Sequence, residues 1–264
     1  MIRLLTQKDE DNVLEYLYQE ASLNIFIIGD IENFGFDSDF QDIYAEFDED
    51  DQYQSVLLLY RGNVVYYSHE TKFNISYMEI LNDYEVSYLS GAKRVVDLIK
   101  DHLPQFSYKP MYFSEAKELE HEEDYSNLNI KQLQNARQAG ELYDFLASID
   151  EFNTKNQKKS DFIDAKLSSL EMGPTYLLYI DGHIACTAAT TAETSVSAMV
   201  VGVATSIHHR GNGFASKLMT KLMKYYFNEK DKYLSLFYDN PKAGNIYKRL
   251  GFKDIDMWVM LVKE

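Results

Sequence analysis

Residues 199–227 read MVVGVATSIHHRGNGFASKLMTKLMKYYF. The first seven, 199–205, are mostly small or β-branched and carry no charge, which predicts a buried strand. The loop Arg210-Gly211-Asn212-Gly213-Phe214-Ala215 follows, and then an amphipathic helix. Phe214, Ala215, Leu218, Leu222, Met223, Tyr226 and Phe227 recur close to the 3.6 period, with Lys217, Lys221 and Lys224 on the outside. Two glycines ahead of a helix start let several N–H groups turn toward one point, and they let a ligand approach without meeting a Cβ. The helix start adds partial positive charge. Such a loop suits phosphate, and Arg210 and Lys217 add charge of the right sign. A tight turn that binds nothing is the other reading of the same residues.

A second stretch narrows the choice. Residues 233–238, YLSLFY, predict another buried strand, followed by Asp239-Asn240-Pro241 and a helix over 242–250 that stops at Gly251-Phe252. Asn240 suits an N-cap and Pro241 the first helical turn. Ala243 and Tyr247 are four apart and share a helix face. Gly251 can take positive φ and end the helix.

The spacing Arg-x-x-Gly-x-Ala at Arg210, Gly213 and Ala215 resembles the acyl-CoA pyrophosphate loop of the GNAT N-acetyltransferase superfamily. The run Asn240, Ala243, Tyr247, Gly251, Phe252 resembles the end of the GNAT core. The Gly-Lys-Ser/Thr ending of a Walker loop is missing, and the Gly-x-Gly-x-x-Gly dinucleotide pattern does not fit.

The composition bounds the rest. The chain has 264 residues with 45% hydrophobic content, enough for one large or two ordinary domains. No apolar run is long enough to span a bilayer. The N-terminus turns acidic too early for a secretory signal. The single cysteine, Cys186, excludes an intrachain disulfide and a cysteine-rich metal site, and it reads as a buried small hydrophobe. A soluble, cytoplasmic protein that engages neither membrane nor nucleic acid is expected. The net charge of −16 is uneven: residues 1–130 hold 9 Lys and Arg against 27 Asp and Glu, a net of −18. An acidic half argues against nucleic acid and weakly favours a cationic acceptor, although solubility alone explains it as well.

Along the first half, strands are expected at 2–5, 43–47, 55–60, 64–69, 74–81 and 110–114, and helices at 8–18, 22–34 and 89–102. Arg61-Gly62-Asn63 reads as a hairpin turn. Residues 115–124, a run of acidic residues, are the expected linker. In the second half, strands are expected at 128–133, 175–180, 183–192, 195–205 and 253–262, with helices at 136–152 and 161–171. Asp181-Gly182 is a strong hairpin signal.

The resemblance implies an α/β (α+β) fold of two GNAT-like halves, each a mixed, mostly antiparallel sheet flanked by helices. Residues 1–125 would be a degenerate acidic half, since Ser90-Gly91-Ala92-Lys93-Arg94 lacks the loop pattern; residues 126–264 would bind acyl-CoA. A tandem arrangement of this kind resembles the glycine N-acyltransferase-like branch and also mycothiol synthase. The implied activity is N-acetyl (acyl) transfer from acetyl-CoA to a primary amine, on a small molecule or a peptide, by direct attack. Backbone groups of Val201, Val203 and Thr205 would bind the pantetheine, the loop Arg210, Gly211, Asn212, Gly213, Phe214 and Ala215 the pyrophosphate, and Asn240 the pantetheine arm. Tyr247 would be the general acid and Glu193 the base, with His183, His208 and His209 as alternatives by residue type. A buried tyrosine and a solvated turn residue are the plainer readings of Tyr247 and Glu193. No spacing supports a metal site. Two further readings stand beside the enzyme: an acyl-CoA sensor without turnover, and an acidic first half that recruits a partner.

Overall fold

Asn24, wholly buried at the head of an apolar helix, gives its side-chain amide to Leu17 O at 2.8 Å and so ties two helices of the first unit together. The computed structural model describes residues 1–264, the side chains of Asn153 and Lys155 excepted. The chain divides into two compact units: Met1–Phe113 with Asp254–Glu264, and Ser114–Lys253.

In chain order the first unit holds β1 (Ile2–Leu4), α1 (Glu10–Tyr18), α2 (Ile25–Phe34), β2 (Gln41–Phe47), β3 (Tyr53–Tyr60), β4 (Asn63–Tyr67), α3 (Tyr77–Asp83), β5 (Tyr88–Ala92) and α4 (Lys93–Ile99). Strand β6 (Phe106–Ala116) runs through the boundary. The second unit holds β7 (Asn129–Gln132), α5 (Ala136–Ala147), α6 (Lys159–Ser168), β8 (Thr175–Ile180), β9 (His183–Thr191), β10 (Ser197–Thr205), α7 (Phe214–Lys224), β11 (Tyr233–Tyr238) and α8 (Pro241–Leu250). The last strand, β12 (Lys253–Lys263), lies in the first unit from Asp254 onward.

Each unit repeats one strand order. In the first it is β1-β2-β3-β4-β5, antiparallel except for the parallel pair β4–β5. In the second it is β7-β8-β9-β10-β11, antiparallel except for the parallel pair β10–β11. The fold is therefore mixed α/β with mostly antiparallel pairing. Both two-residue hairpin turns have the expected positive φ: Arg61 and Gly62 at 46° and 83°, Asp181 and Gly182 at 48° and 81°. In the second unit, Leu218, Leu222 and Met223 of α7 and Tyr247 and Leu250 of α8 pack with Leu178, Val200 and Leu236. Leu142, Phe145 and Leu146 of α5 pack with Leu177, Ile184 and Ala204. The alternation Leu177/Leu178 puts α7 and α8 on one face of the sheet and α5 on the other.

Several expectations are corrected. Residues 74–81 are not a strand: Tyr77 and Leu81 are buried four apart on α3, and Ile75, which alternation places inward, is 55% exposed. The expected helix at 89–102 begins as strand β5. A Cβ on Gly91 would stand 2.6 Å from Tyr66 O, so two backbones meet where only glycine fits. Strand β12 does not close the second half's sheet; it pairs antiparallel with β5, with Trp258 opposite Ala92 and Val262 opposite Tyr88. The division falls at 113/114 where 125/126 was expected.

The acidic run is also no free linker. Glu122 pairs with Lys224, Glu120 N donates to Leu250 O at 3.0 Å, and Glu123 N donates to Thr220 Oγ1 at 3.3 Å. It straps across the outside of α7 and α8.

One carboxylate in the first unit sets a pH dependence. Asp30, half-buried on α2, is pushed up to about 7 by desolvation. Its folded value lies above its unfolded value, so its contribution is complete below about pH 4 and is lost as pH rises through 7. Asp30→Asn should leave the melting temperature unchanged at pH 4 and raise stability at pH 8, by on the order of 3 kcal/mol. Thermal melts of both proteins across that range check this, and parallel curves would refute it.

Candidate functional site

Strand β10 pairs with β11 only from Ser197↔Tyr233 to Val200↔Leu236, yet β10 continues to Thr205 and β11 to Tyr238. Beyond that point the parallel strands part. β10 stays paired with β9, but its register shifts by one residue between Val201 and Ala204, and Gly202 takes φ 62° there. A bulge of this kind bends the strand and re-aims its backbone groups. The edge of β10 that faced β11 is thus left without a ladder partner over 201–205, a row of backbone donors and acceptors along one wall of a cleft.

That cleft has a volume of 710 Å³ and lies within the second unit. Val201, Val203 and Thr205 line one wall, and Asn240 and Tyr247 the other. Arg210, Gly211, Gly213, Phe214 and Ala215 form its end. Gly211 and Gly213 have φ 84° and 73°, and a Cβ at either would find nothing within 4 Å. Both residues therefore supply backbone curvature next to empty space. Gly213 is the N-cap of α7 in the left-handed conformation, and no side chain caps that helix. The first N–H groups of α7 are left for a ligand. By contrast, Asn240 Oδ1 caps α8, accepting from Lys242 N at 3.0 Å. Its amide nitrogen makes no hydrogen bond among the described residues.

Charge fits the same reading. Arg210, Lys242 and Arg249 all line the cleft. Arg210 Nε donates to Thr205 O at 3.3 Å, and its guanidinium meets Glu151 at 3.2 Å on the segment that follows α5. Uncapped N–H groups, open left-handed glycines and three cations make a donor set for a polyanion.

Tyr247 is 7% exposed, with its ring 5.9 Å from Tyr238 and 6.0 Å from Phe252. Desolvation, helped by the nearby Cys186 thiol, pushes its hydroxyl up to about 12. The phenol therefore keeps its proton at neutral pH, and its hydroxyl makes no hydrogen bond among the described residues. Burial also pushes Cys186 up to about 11, which suits a packed thiol beside Thr205 Oγ1 at 3.3 Å.

The structure does not bring every expected residue to the cleft. Asn212 turns away, and its amide donates to His209 O at 3.0 Å. Glu193 lies in the turn before β10, at the end of that strand away from the bulge. Its carboxylate takes Lys232 at 2.7 Å and the Tyr226 hydroxyl at 3.0 Å. His183 and His208 are exposed and outside the lining. Of the bases weighed on the sequence, His209 alone lines the cleft, and its Nδ1 is buried without a hydrogen-bond partner among the described residues. Lys242, Ser216, Arg249 and Glu151 were missed. They come together through packing of α7, α8 and the α5–α6 connection, which local spacing does not report.

Residues 140–252, all within the second unit, match the family model described as acetyltransferase (GNAT) family. No curated protein matches the sequence. A GCN5-related N-acetyltransferase-like protein from Streptococcus suis is similar in fold, at 15% identity and TM-score 0.60, over 98% of this chain and 100% of that one. A Drosophila protein superposes with TM-score 0.71 at 11% identity, over 99% and 98% of the two chains. A tandem GNAT protein from the clavulanic acid biosynthesis pathway does so with TM-score 0.61 at 11% identity, over 99% and 97%. At such identities the likeness is one of fold. The family match covers less than half of the chain, the segment that contains the cleft, and the likeness of fold spans both units.

Proposed function

We propose that the second unit is an N-acyltransferase that moves the acetyl group of acetyl-CoA to a primary amine, on a small molecule or a peptide. The observation that carries this is the cleft itself, where two parting parallel strands end at an uncapped helix start flanked by cations. Acetyl-CoA fits that donor set: its pyrophosphate suits the loop 210–215, and its pantetheine suits the unpaired edge of β10. Bound there, it would supply an activated thioester. The backbone groups of Val201, Val203 and Thr205 orient the acyl end, where fixed donors act on developing charge without reorganising. Asn240 offers its free amide to the pantetheine arm. Tyr247 holds a proton for the leaving sulfur. His209 adjoins the phosphate end and Glu193 lies beyond the strand's other end, so the base that takes the amine's proton is left unassigned.

The first unit is proposed to be a degenerate half, as in the glycine N-acyltransferase-like branch. Its parallel pair β4–β5 holds the same place in strand order as β10–β11, but Gly91 keeps the backbones close at Tyr66. The connection from β4, which ends at Tyr67, to α3, which begins at Tyr77, is about as long as that from β10 to α7, but it holds no glycine.

Calorimetry with acetyl-CoA, followed by CoA release against amino acids, polyamines, aminoglycosides and lysine peptides, tests both statements. One molecule bound per chain, with release for one amine class, is expected. Binding without release from any amine would favour a sensor of acyl-CoA, and two equivalent sites would overturn the degenerate half.

A further inference from the structure

We propose that Arg249 is a phosphate-binding residue of this cleft, held at the first turn of α7 by Ser216 and occupied by the Glu123 carboxylate until a ligand phosphate takes its place. The proposal rests on the acetyl-CoA reading above.

Arg249 sits near the C-terminal end of α8, two residues after Tyr247, and it lines the cleft. Its Nη2 donates to Ser216 Oγ at 2.7 Å and to Glu123 Oε1 at 3.3 Å. Ser216 is the third residue of α7 and 1% exposed, so the hydroxyl that receives the guanidinium is fixed in place. The result is a cation anchored against the N-terminal turn of an uncapped helix. A helix start carries partial positive charge, so this is the wrong end for a cation unless an anion joins it.

Glu123 is that anion. The strap holds it, through its own N–H to Thr220 Oγ1 and through the neighbouring pair Glu122–Lys224. Its carboxylate therefore does in the free protein what a phosphate would do in the complex. An arginine has five N–H donors in a planar fork, and among the described residues only those on Nη2 of Arg249 are engaged. Both two-pronged edges of the guanidinium, Nε with Nη2 and Nη1 with Nη2, include Nη2, so a phosphate gains a two-point grip as Glu123 leaves it, with Nε and Nη1 still open. Arg210 differs, since it belongs to the loop itself and pairs with Glu151.

Calorimetry with CoA, 3′-dephospho-CoA and pantetheine on wild type, R249Q, R249K, E123Q and the double variant tests this. R249Q should weaken CoA by about ten-fold or more, the worth of a charge-assisted bond to phosphate. R249K should fall between the two, because an ammonium keeps charge but loses the fork. E123Q should tighten CoA a few-fold by removing the competitor, and the double variant should bind no more tightly than R249Q. Pantetheine, which has no phosphate, should bind all five proteins alike. An R249Q effect kept with dephospho-CoA assigns the contact to the pyrophosphate, and one lost with it assigns the contact to the 3′-phosphate. Unchanged CoA affinity in R249Q would overturn the proposal, as would pantetheine weakened in parallel, since that reports a damaged cleft. Failure of the wild type to bind CoA is a separate result and would overturn the acetyl-CoA reading itself.

Discussion

Tyr247→Phe is expected to lower kcat about 100-fold while acetyl-CoA affinity stays within about two-fold and the melting temperature within a few degrees. The structure separates these effects. The ring packs against Tyr238 and Phe252, and phenylalanine keeps that packing. The hydroxyl has no protein partner among the described residues, so deleting it leaves no buried group stranded and costs little stability. What it removes is the proton donor. With the phenol pushed up to about 12, the wild-type donor stays loaded across the working range. The sign follows from burial, which disfavours phenolate, so no descending limb from Tyr247 should enter the pH profile below about pH 10. The ascending limb should report deprotonation of the amine. Stopped-flow and steady-state CoA release, with calorimetric affinity on the same preparations, check the split. Equal turnover in the two proteins would remove Tyr247 from the chemistry and leave it a packing residue.

What the sequence made legible has a pattern. The strand–loop–helix at 199–227 and the capped helix after Asn240 were readable because each is decided locally. Gly213 must take positive φ, Asn240 must cap, Gly251 must stop α8 at φ 118°, and those needs are written in the residues themselves. The hairpin turns at Arg61-Gly62 and Asp181-Gly182 belong to the same class. The missed features depend on what lies across space. Gly91 is a strand residue because Tyr66 O is beside it, which no window around residue 91 contains. β12 continues directly from α8, and only its pairing with β5 reveals that it belongs with the first unit. The run 115–124 looks like a solvated linker by composition, and its function as a strap depends on Lys224 and Arg249 more than a hundred residues later. Glu193 was weighed as a base because it precedes β10, but the cleft opens at that strand's other end. The same limit explains Arg249: it stands two residues from a motif tyrosine, and its partner Ser216 lies on another helix.

Gly213→Trp should abolish acetyl-CoA binding, with at least about 100-fold lower affinity, while the protein still folds. Two costs must be kept apart. Any residue with a Cβ at φ 73° is strained by roughly 1–2 kcal/mol, which lowers the melting temperature modestly. The indole then extends into the space at the helix start, where a Cβ meets nothing within 4 Å. In the free protein that space is open and the ring meets little resistance. In the complex it is where the pyrophosphate would face the first N–H groups of α7. Gly213→Ala isolates the first cost, since its methyl group reaches only into open space. The expected order is therefore a small shared loss of stability and a large loss of affinity for Trp alone. Thermal melts give the first quantity and calorimetry the second. If Ala and Trp both bind acetyl-CoA as the wild type does, the left-handed loop is only a turn between β10 and α7, and the cleft's phosphate end must be sought elsewhere. If Ala alone already abolishes binding, the backbone curvature of the loop, and not its open space, is what holds the ligand.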